Sequence, residues 1–350
     1  MPFDPIVFVF LSSGLFLGWA LGANDAANVF GTAVGTKMVT WRTAAIICSI
    51  FVVLGALFSG AGTTQTLGKL GAISALPGAF MTALAAGFSV LLMTRAGLPV
   101  STSQAIVGAI IGWNFFSKSS TDSVVLLQIL STWILCPLLA GILAIVLVKI
   151  SRFFSFRLAI HMIRLDALKR IALLFAGAIG AYALGANNIA NVIGVFIPVE
   201  PFPEIQLGQF RVTSAHQLVL LGGLSIALGV FTFSRGVMET VGGELGSLSS
   251  TTALITVLAH SLVLFMFASR SLEAWLANLG LPTVPLVPVS SSQAVVGAIV
   301  GISILSGLSN INWLVLGKIL VGWILAPVFA FIICFFGLFF LQNVFSLHVM

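Results

Sequence analysis

The amino-acid sequence predicts an all-α polytopic membrane protein built from two inverted-topology repeats, with broken or hairpin helices meeting at a midplane site. Three observations lead there. First, the chain is strongly apolar: 59% of its 350 residues are hydrophobic and 7% are charged, with a mean hydropathy of +1.18. A soluble domain carries about 25% charged residues. Second, a polar insert, Gly22-Ala23-Asn24-Asp25-Ala26-Ala27-Asn28, interrupts an apolar stretch and returns as Gly185-Ala186-Asn187-Asn188-Ile189-Ala190-Asn191. Third, other segments recur in the same order along the chain, which marks a duplication.

Long apolar runs such as 43–58, 124–148, 251–269 and 313–341 recur along the chain. A helical crossing of the hydrocarbon core takes ~20 residues. Backbone groups in lipid must be satisfied within their own segment, so these runs read as helices. The residue-by-residue alternation of a membrane β-barrel is absent. The first half offers five apolar passes, at 5–36, 43–60, 76–95, 99–116 and 124–148. No basic residue precedes Lys37, so the first run lacks the flank of a cleaved signal peptide and reads as a retained helix. Residues 1–148 form the first membrane repeat, 149–170 a basic linker and 171–350 the second repeat.

Pro99-Val100-Ser101-Thr102-Ser103-Gln104 recurs as Pro288-Val289-Ser290-Ser291-Ser292-Gln293, and Trp133-Ile134-Leu135-Cys136-Pro137 as Trp323-Ile324-Leu325-Ala326-Pro327. A weaker match pairs Thr66-Leu67-Gly68 with Thr240-Val241-Gly242. Five passes is an odd number, so the second repeat enters from the opposite side. Counting crossings puts Lys37, Arg42, Arg95 and the 149–170 loop on one face. Asp4, Lys69, Lys118, Asp122, Glu200, Glu204, Arg211, Arg270 and Glu273 fall on the other. The positive-inside rule then places the loop in the cytoplasm and both termini outside a plasma (inner) membrane. Six of the fifteen basic residues lie in that loop, so the net charge of +6 is a topology signal and not a nucleic-acid footprint. Cys48, Cys136 and Cys334 lie singly in apolar segments. An odd count without CxxC spacing argues against a disulfide framework or zinc site.

On a helix, Asn24, Asn28 and Thr32 follow one another at four-residue spacing, with Asp25 three before Asn28, so all share a face that runs on to Thr36. One carboxylate among amide and hydroxyl oxygens suits a small monovalent cation. Hydrogen bonding between helices is the plain alternative for Asn28 and Thr32. An acid at membrane depth instead marks a solute pathway. The second copy, Asn187, Asn188 and Asn191, has no acid, and Val195 and Val199 stand where the offset of 163 would put Thr32 and Thr36. The two halves therefore differ in charge.

The proline-serine segments follow another logic. Proline interrupts a helix, and Ser101, Thr102 and Ser103 are good N-cap residues for the helix that follows. A helix N-terminus presents unpaired N–H groups and partial positive charge, which favour an anion. Ser101, Thr102, Ser103 and Gln104 in one half, and Ser290, Ser291, Ser292 and Gln293 in the other, would form a donor-rich cup for a tetrahedral oxyanion. Ordinary helix capping is the plain alternative. Glu239 reads as a loop or gate residue. His260 could relay protons but reads first as a hydrogen-bonded packing residue, and Lys318 as a snorkelling side chain.

At these residues the chain resembles the inorganic phosphate transporter (PiT) family, through Gly22–Asn28 and its extension to Gly35, through Gly185–Asn191, and through both Pro-Val-Ser-(Thr/Ser)-Ser-Gln segments. The resemblance spans essentially the whole chain. It implies a secondary phosphate importer driven by Na+ or H+, with inverted repeats and extracellular termini. By position, Asp25, Thr102, Ser103, Ser291 and Ser292 would contact phosphate or its coupling ions. Asn24, Asn28, Asn191, Gln104 and Gln293 would complete the ion and substrate shells. Asn188 departs from the family, whose second signature usually carries Asp, and with Asn187 it completes the expected site. No cofactor is implied. The expected partners are inorganic phosphate, Na+ or H+, the lipid bilayer and a second copy of the chain as a homodimer, with no nucleic acid.

Hydrogen phosphate carries a proton that a carboxylate accepts, and sulfate at neutral pH does not. Asp25 therefore favours phosphate, while loss of the second acid weakens the preference and keeps a sulfate or other oxyanion transporter as the alternative. An enzyme is not expected: no HExxH, paired carboxylates or Gly-rich phosphate loop with lysine occurs. Breaks in both halves favour a carrier over a passive channel.

Overall fold

The computed structural model describes residues 5–71, 73–95, 100–155, 161–208, 210–244, 249–308 and 311–350. Asp4, Pro99 and Arg157 lie outside them. The first half runs through α1 (Pro5–Gly35), α2 (Trp41–Ser59), α3 (Ala61–Leu70), α4 (Leu76–Arg95), α5 (Thr102–Ser117) and α6 (Ser123–Ser155). The second runs through α7 (Met162–Ile193), α8 (Ser214–Glu244), α9 (Ser250–Ala268), α10 (Arg270–Asn278), α11 (Ser291–Ile304) and α12 (Trp313–Val344). A 3₁₀ turn (Gly194–Val199) and a small antiparallel hairpin, β1 (Ile205–Leu207) and β2 (Phe210–Val212), link α7 to α8.

Among the described residues, eight helices are long and apolar enough to cross a membrane: α1, α2, α4, α6, α7, α8, α9 and α12. The expected pass at 99–116 takes a different form. Its helix, α5, has 16 residues and is about 24 Å long at 1.5 Å per residue, short of the ~30 Å core. Its counterpart α11 has 14 residues. Each is capped at its start by a serine: Ser101 accepts from the Gln104 N–H at 3.2 Å, and Ser290 from the Gln293 N–H at 3.2 Å. These are the interrupted helices that the proline-serine segments predict. The short helices α3 and α10, the 3₁₀ turn and the hairpin were not foreseen, because they lie between the apolar passes where the sequence pattern is weak.

The two halves interlock. α1 packs on α8 and α7 on α2, while α5 packs on α12 and α11 on α6. Each of these pairs joins one half to the other. Glycines at repeat-equivalent positions permit the approach. A Cβ at Gly22 would run into the Ile226 carbonyl, and one at Gly185 into the Val52 carbonyl. Similarly, a Cβ at Gly108 would strike Pro327, and one at Gly297 would strike Pro137. Small residues that let backbones touch are how membrane helices associate, since lipid offers no hydrophobic drive to pair them. Large apolar side chains such as Ile134 and Leu138 on α6 and Ile324 and Phe336 on α12 face outward, as lipid contact requires.

Charges gather at two rims. Lys37, Arg42, Arg235 and Glu239 line a cavity of about 500 Å³, and Thr94, Arg95 and Arg235 line a neighbouring one of about 440 Å³. Glu239 pairs with Arg235 at 3.0 Å. Lys69, Arg270 and Glu273 line a third, of about 480 Å³, where the Arg270 guanidinium donates to Gln65 at 2.9 Å. Asn114, near the end of α5, donates to the Leu70 carbonyl at 3.1 Å, which ties that end to the Lys69 rim. Lys318 is exposed near the start of α12, as a snorkelling lysine would be.

Candidate functional site

The duplicated polar inserts sit in the C-terminal half of α1 and near the C-terminal end of α7, and both face inward. Asn24, Asp25, Asn28 and Thr32 are buried, as are Asn187, Asn188 and Asn191. Apolar neighbours on the same helices pack against the partner helices. The inserts are thereby held where the halves meet, and Asp25 and Asn188 come face to face. The Asn188 amide donates to Asp25 Oδ2 at 3.1 Å. A repeat is visible within each motif: Asn28 donates to Asp25 Oδ1 at 3.5 Å, and Asn191 to Asn188 Oδ1 at 3.2 Å.

The starts of α5 and α11 close on the same region. Asn191 donates to Ser103 Oγ at 3.0 Å, and the Ser103 hydroxyl donates to the Val289 carbonyl at 3.1 Å. Asn187 clasps the strand-like segment before α11, donating to the Val287 carbonyl at 3.3 Å and accepting from the Val289 N–H at 2.9 Å. Ser290 and Ser292 hydroxyls lie 3.1 Å apart. All of Ser101, Thr102, Ser103, Gln104, Ser290, Ser291, Ser292 and Gln293 are buried. Hydrogen bonds thus join Asp25, Asn28, Asn188, Asn191 and Ser103 in one buried polar region and reach Asn187 through Val289, while Asn24 turns to a different partner. The Asn24 amide donates to Thr94 Oγ1 at 2.8 Å.

What this region leaves unsatisfied defines its chemistry. Buried side-chain oxygens of Asn24, Asn28, Thr32, Gln104, Asn191 and Gln293 have no hydrogen-bond partner, nor does the Thr102 hydroxyl. Native proteins leave few such groups, and each calls for an explanation. Asp25 is 2% exposed and makes no ion pair among the described residues. A buried carboxylate is costly without a compensating charge. Amide oxygens and a carboxylate are acceptors that fit a hard monovalent cation. The N-termini of α5 and α11 present N–H groups and hydroxyls that fit an anion.

One residue of this region, Thr94, was missed from the sequence, and another, His260, was read there first as a packing residue. Thr94 is the penultimate residue of α4 and carries no motif. His260 is fully buried on α9, and its Nε2 lies 2.8 Å from Ser291 Oγ. It is hydrogen-bonded, as its packing role predicts, but to a residue of the site. The cysteines are free and buried, and Cys136 donates to the Ser290 carbonyl at 3.5 Å.

A bundle of long apolar helices with two interrupted helices facing a buried polar centre defines a multi-pass membrane permease. The chain belongs to the phosphate transporter family, whose profile matches residues 21–283 and 274–349. It is 30% identical over 321 residues to a candidate phosphate permease of Methanocaldococcus jannaschii, covering 91% of this chain and 93% of that protein. It is also 27% identical over 347 residues to the sulfate permease CysP of Bacillus subtilis, covering 96% of this chain and 89% of that one. Among solved structures, a sodium-dependent phosphate transporter superposes with a TM-score of 0.78 at 23% identity, covering 97% of this chain and 100% of that one. That likeness establishes the shared fold.

Proposed function

We propose that this protein imports inorganic phosphate across the plasma membrane by symport with Na+. One observation carries the reading: a buried carboxylate, Asp25, has no basic partner among the described residues and stands beside unpartnered amide oxygens, where the start of α5 meets the segment that leads into α11. Asp25, with Asn24, Asn28, Asn187 and Asn191, takes the cation, whose charge offsets that of the anion. Ser101, Thr102, Ser103 and Gln104, with Asn188, Ser290, Ser291, Ser292 and Gln293, take the phosphate through hydroxyl, amide and backbone N–H donors. Asp25 also accepts the proton that hydrogen phosphate carries and sulfate lacks.

The repeats are inverted in this reading, with the 149–170 loop in the cytoplasm and both termini outside. Its support is the placement of equivalent helix ends. Arg95, at the end of α4, lines the rim with Arg235, while Arg270, just past the end of α9, lines the other rim with Lys69. A site near the midplane between such repeats suits alternating access.

Asn188 supports a second reading, a sulfate carrier of the same architecture, because one acid fewer weakens selection for a protonated anion. The deciding experiment is radiolabelled phosphate uptake into proteoliposomes under an inward Na+ gradient, a H+ gradient or neither, with excess unlabelled sulfate. Na+-driven accumulation untouched by sulfate supports the first reading. Loss of uptake to sulfate supports the second, and accumulation driven by H+ alone replaces the coupling ion.

A further inference from the structure

His260 lies behind the start of α11, and the chemistry of its contact reaches the site. Ser291, its partner at 2.8 Å, is the first residue of that helix. A serine hydroxyl has one proton and two lone pairs. When Ser291 gives that proton to an unprotonated Nε2, a lone pair is left toward the site and repels an anion. When Nε2 carries the proton and donates to Oγ, the Ser291 proton is free to point at an anion. The tautomer of His260 therefore sets Ser291 as donor or acceptor. The other ring nitrogen, Nδ1, is buried and has no partner, so no neighbouring group holds the ring in the opposite tautomer.

We propose that His260 is a positioning residue for oxyanion binding, which in its Nε2–H tautomer donates to Ser291 Oγ and commits the Ser291 hydroxyl proton to the anion. This inference rests on the reading of the α5 and α11 starts as the oxyanion site. The repeat sharpens it. Thr82 bonds back to the Gly78 carbonyl as Thr256 does to that of Thr252, an offset of 174. The same offset sets Ala86 where the second half has His260. Each half thus carries one special residue, the acid Asp25 in the first and the histidine in the second. α9 packs on α7, α11, α6 and α1, and among the described residues Asp25 is the one buried carboxylate and His260 the one buried histidine.

The test uses the purified full-length protein in proteoliposomes, with initial rates of labelled phosphate uptake across a concentration range. The proteins compared are wild type, His260→Gln, His260→Met, Ser291→Ala and the His260→Met Ser291→Ala double variant. Glutamine restores a neutral N–H donor near the Nε2 position, and methionine fills the space without one. Losing one hydrogen bond that serves a charged ligand should raise KM about tenfold in His260→Met with Vmax little changed. His260→Gln should stay close to wild type, and the double variant should be no worse than Ser291→Ala alone. Equal losses in the Gln and Met variants, an unchanged KM in His260→Met, or additive losses in the double variant would overturn the proposal. If His260→Met does not fold, His260→Asn replaces it. Its amide sits at the Nδ1 position, so it should lose affinity where His260→Gln keeps it, and equality of the two overturns the idea. If wild type carries sulfate and not phosphate, the substrate reading falls, while the same KM comparison made with sulfate still judges His260.

Discussion

Asp25 and Asn188 occupy the same position in the two copies of one motif, 163 residues apart, and meet at 3.1 Å where the halves join. A pair of identical acids there would repel. Replacing one by an amide converts the contact into a hydrogen bond from a neutral donor to a carboxylate. The site keeps one fixed negative charge in place of two, and its partner holds that charge in position.

Asp25→Asn should abolish gradient-driven uptake while the protein still purifies as a monodisperse species. The amide keeps the shape and can still pair with Asn188, so folding is spared. A hydrogen bond or ligand contact to a charged group is worth ~1.5–3 kcal/mol, which corresponds to about 10- to 100-fold in cation affinity. Uptake at the full wild-type rate would remove Asp25 from the coupling site.

Asn188→Asp restores the symmetric pair of acids. Two carboxylates in contact cannot both ionise freely and tend to share a proton. The expected outcome is steeper dependence of phosphate uptake on external cation, and weaker inhibition by sulfate than in wild type. Competition curves for the two proteins, run at one pH, measure this directly. Stronger sulfate inhibition in the variant would contradict the role given to the second acid.

Ser103→Ala removes a node that accepts from Asn191 and donates to Val289. It leaves a buried amide donor without its acceptor, at a cost of ~1–3 kcal/mol. Thermal unfolding should shift downward, and the half-saturating phosphate concentration should rise by about tenfold or more. An unshifted melting curve with unchanged KM would mean that the helix starts do not depend on this contact.

Gly185→Ala should be far more damaging than Gly236→Ala. A Cβ at Gly185 meets the Val52 backbone, whereas one at Gly236 meets nothing. Alanine in an open helical position is favoured by ~1 kcal/mol over glycine, so Gly236→Ala should melt at or above wild type. Gly185→Ala must push α7 away from α2, and its melting temperature and yield should both fall. Gly22→Ala, at the equivalent place in the first half, should behave like Gly185→Ala.

The rim residues bear on rate and not on selectivity. Replacing Lys69 and Arg270, on the rim this topology places outside, by Gln should slow phosphate uptake at low ionic strength and leave it nearly unchanged at high salt, because steering by exposed charges is screened. A loss that persists at high salt would mean that one of these residues contacts the substrate in its path.

Amino-acid sequence alone determined the membrane class, the duplication, the two interrupted helices and the short list of polar residues. The reason is physical: lipid tolerates long apolar helices and little else, so a carboxylate, a run of amides or a proline-serine break within them stands out without any coordinates. Tertiary structure decided which of those residues meet. Asp25 and Asn188 are adjacent because α1 and α7 pack on each other, in a bundle where glycines let α1 close on α8 and α7 on α2, contacts that no periodicity encodes. His260 was legible only as a buried polar residue in an apolar run, since its partner Ser291 lies on another helix 31 residues away. Thr94 gave no signal at all. Contacts between helices in lipid depend on shape at close approach, and shape at that scale exists only once the helices are assembled.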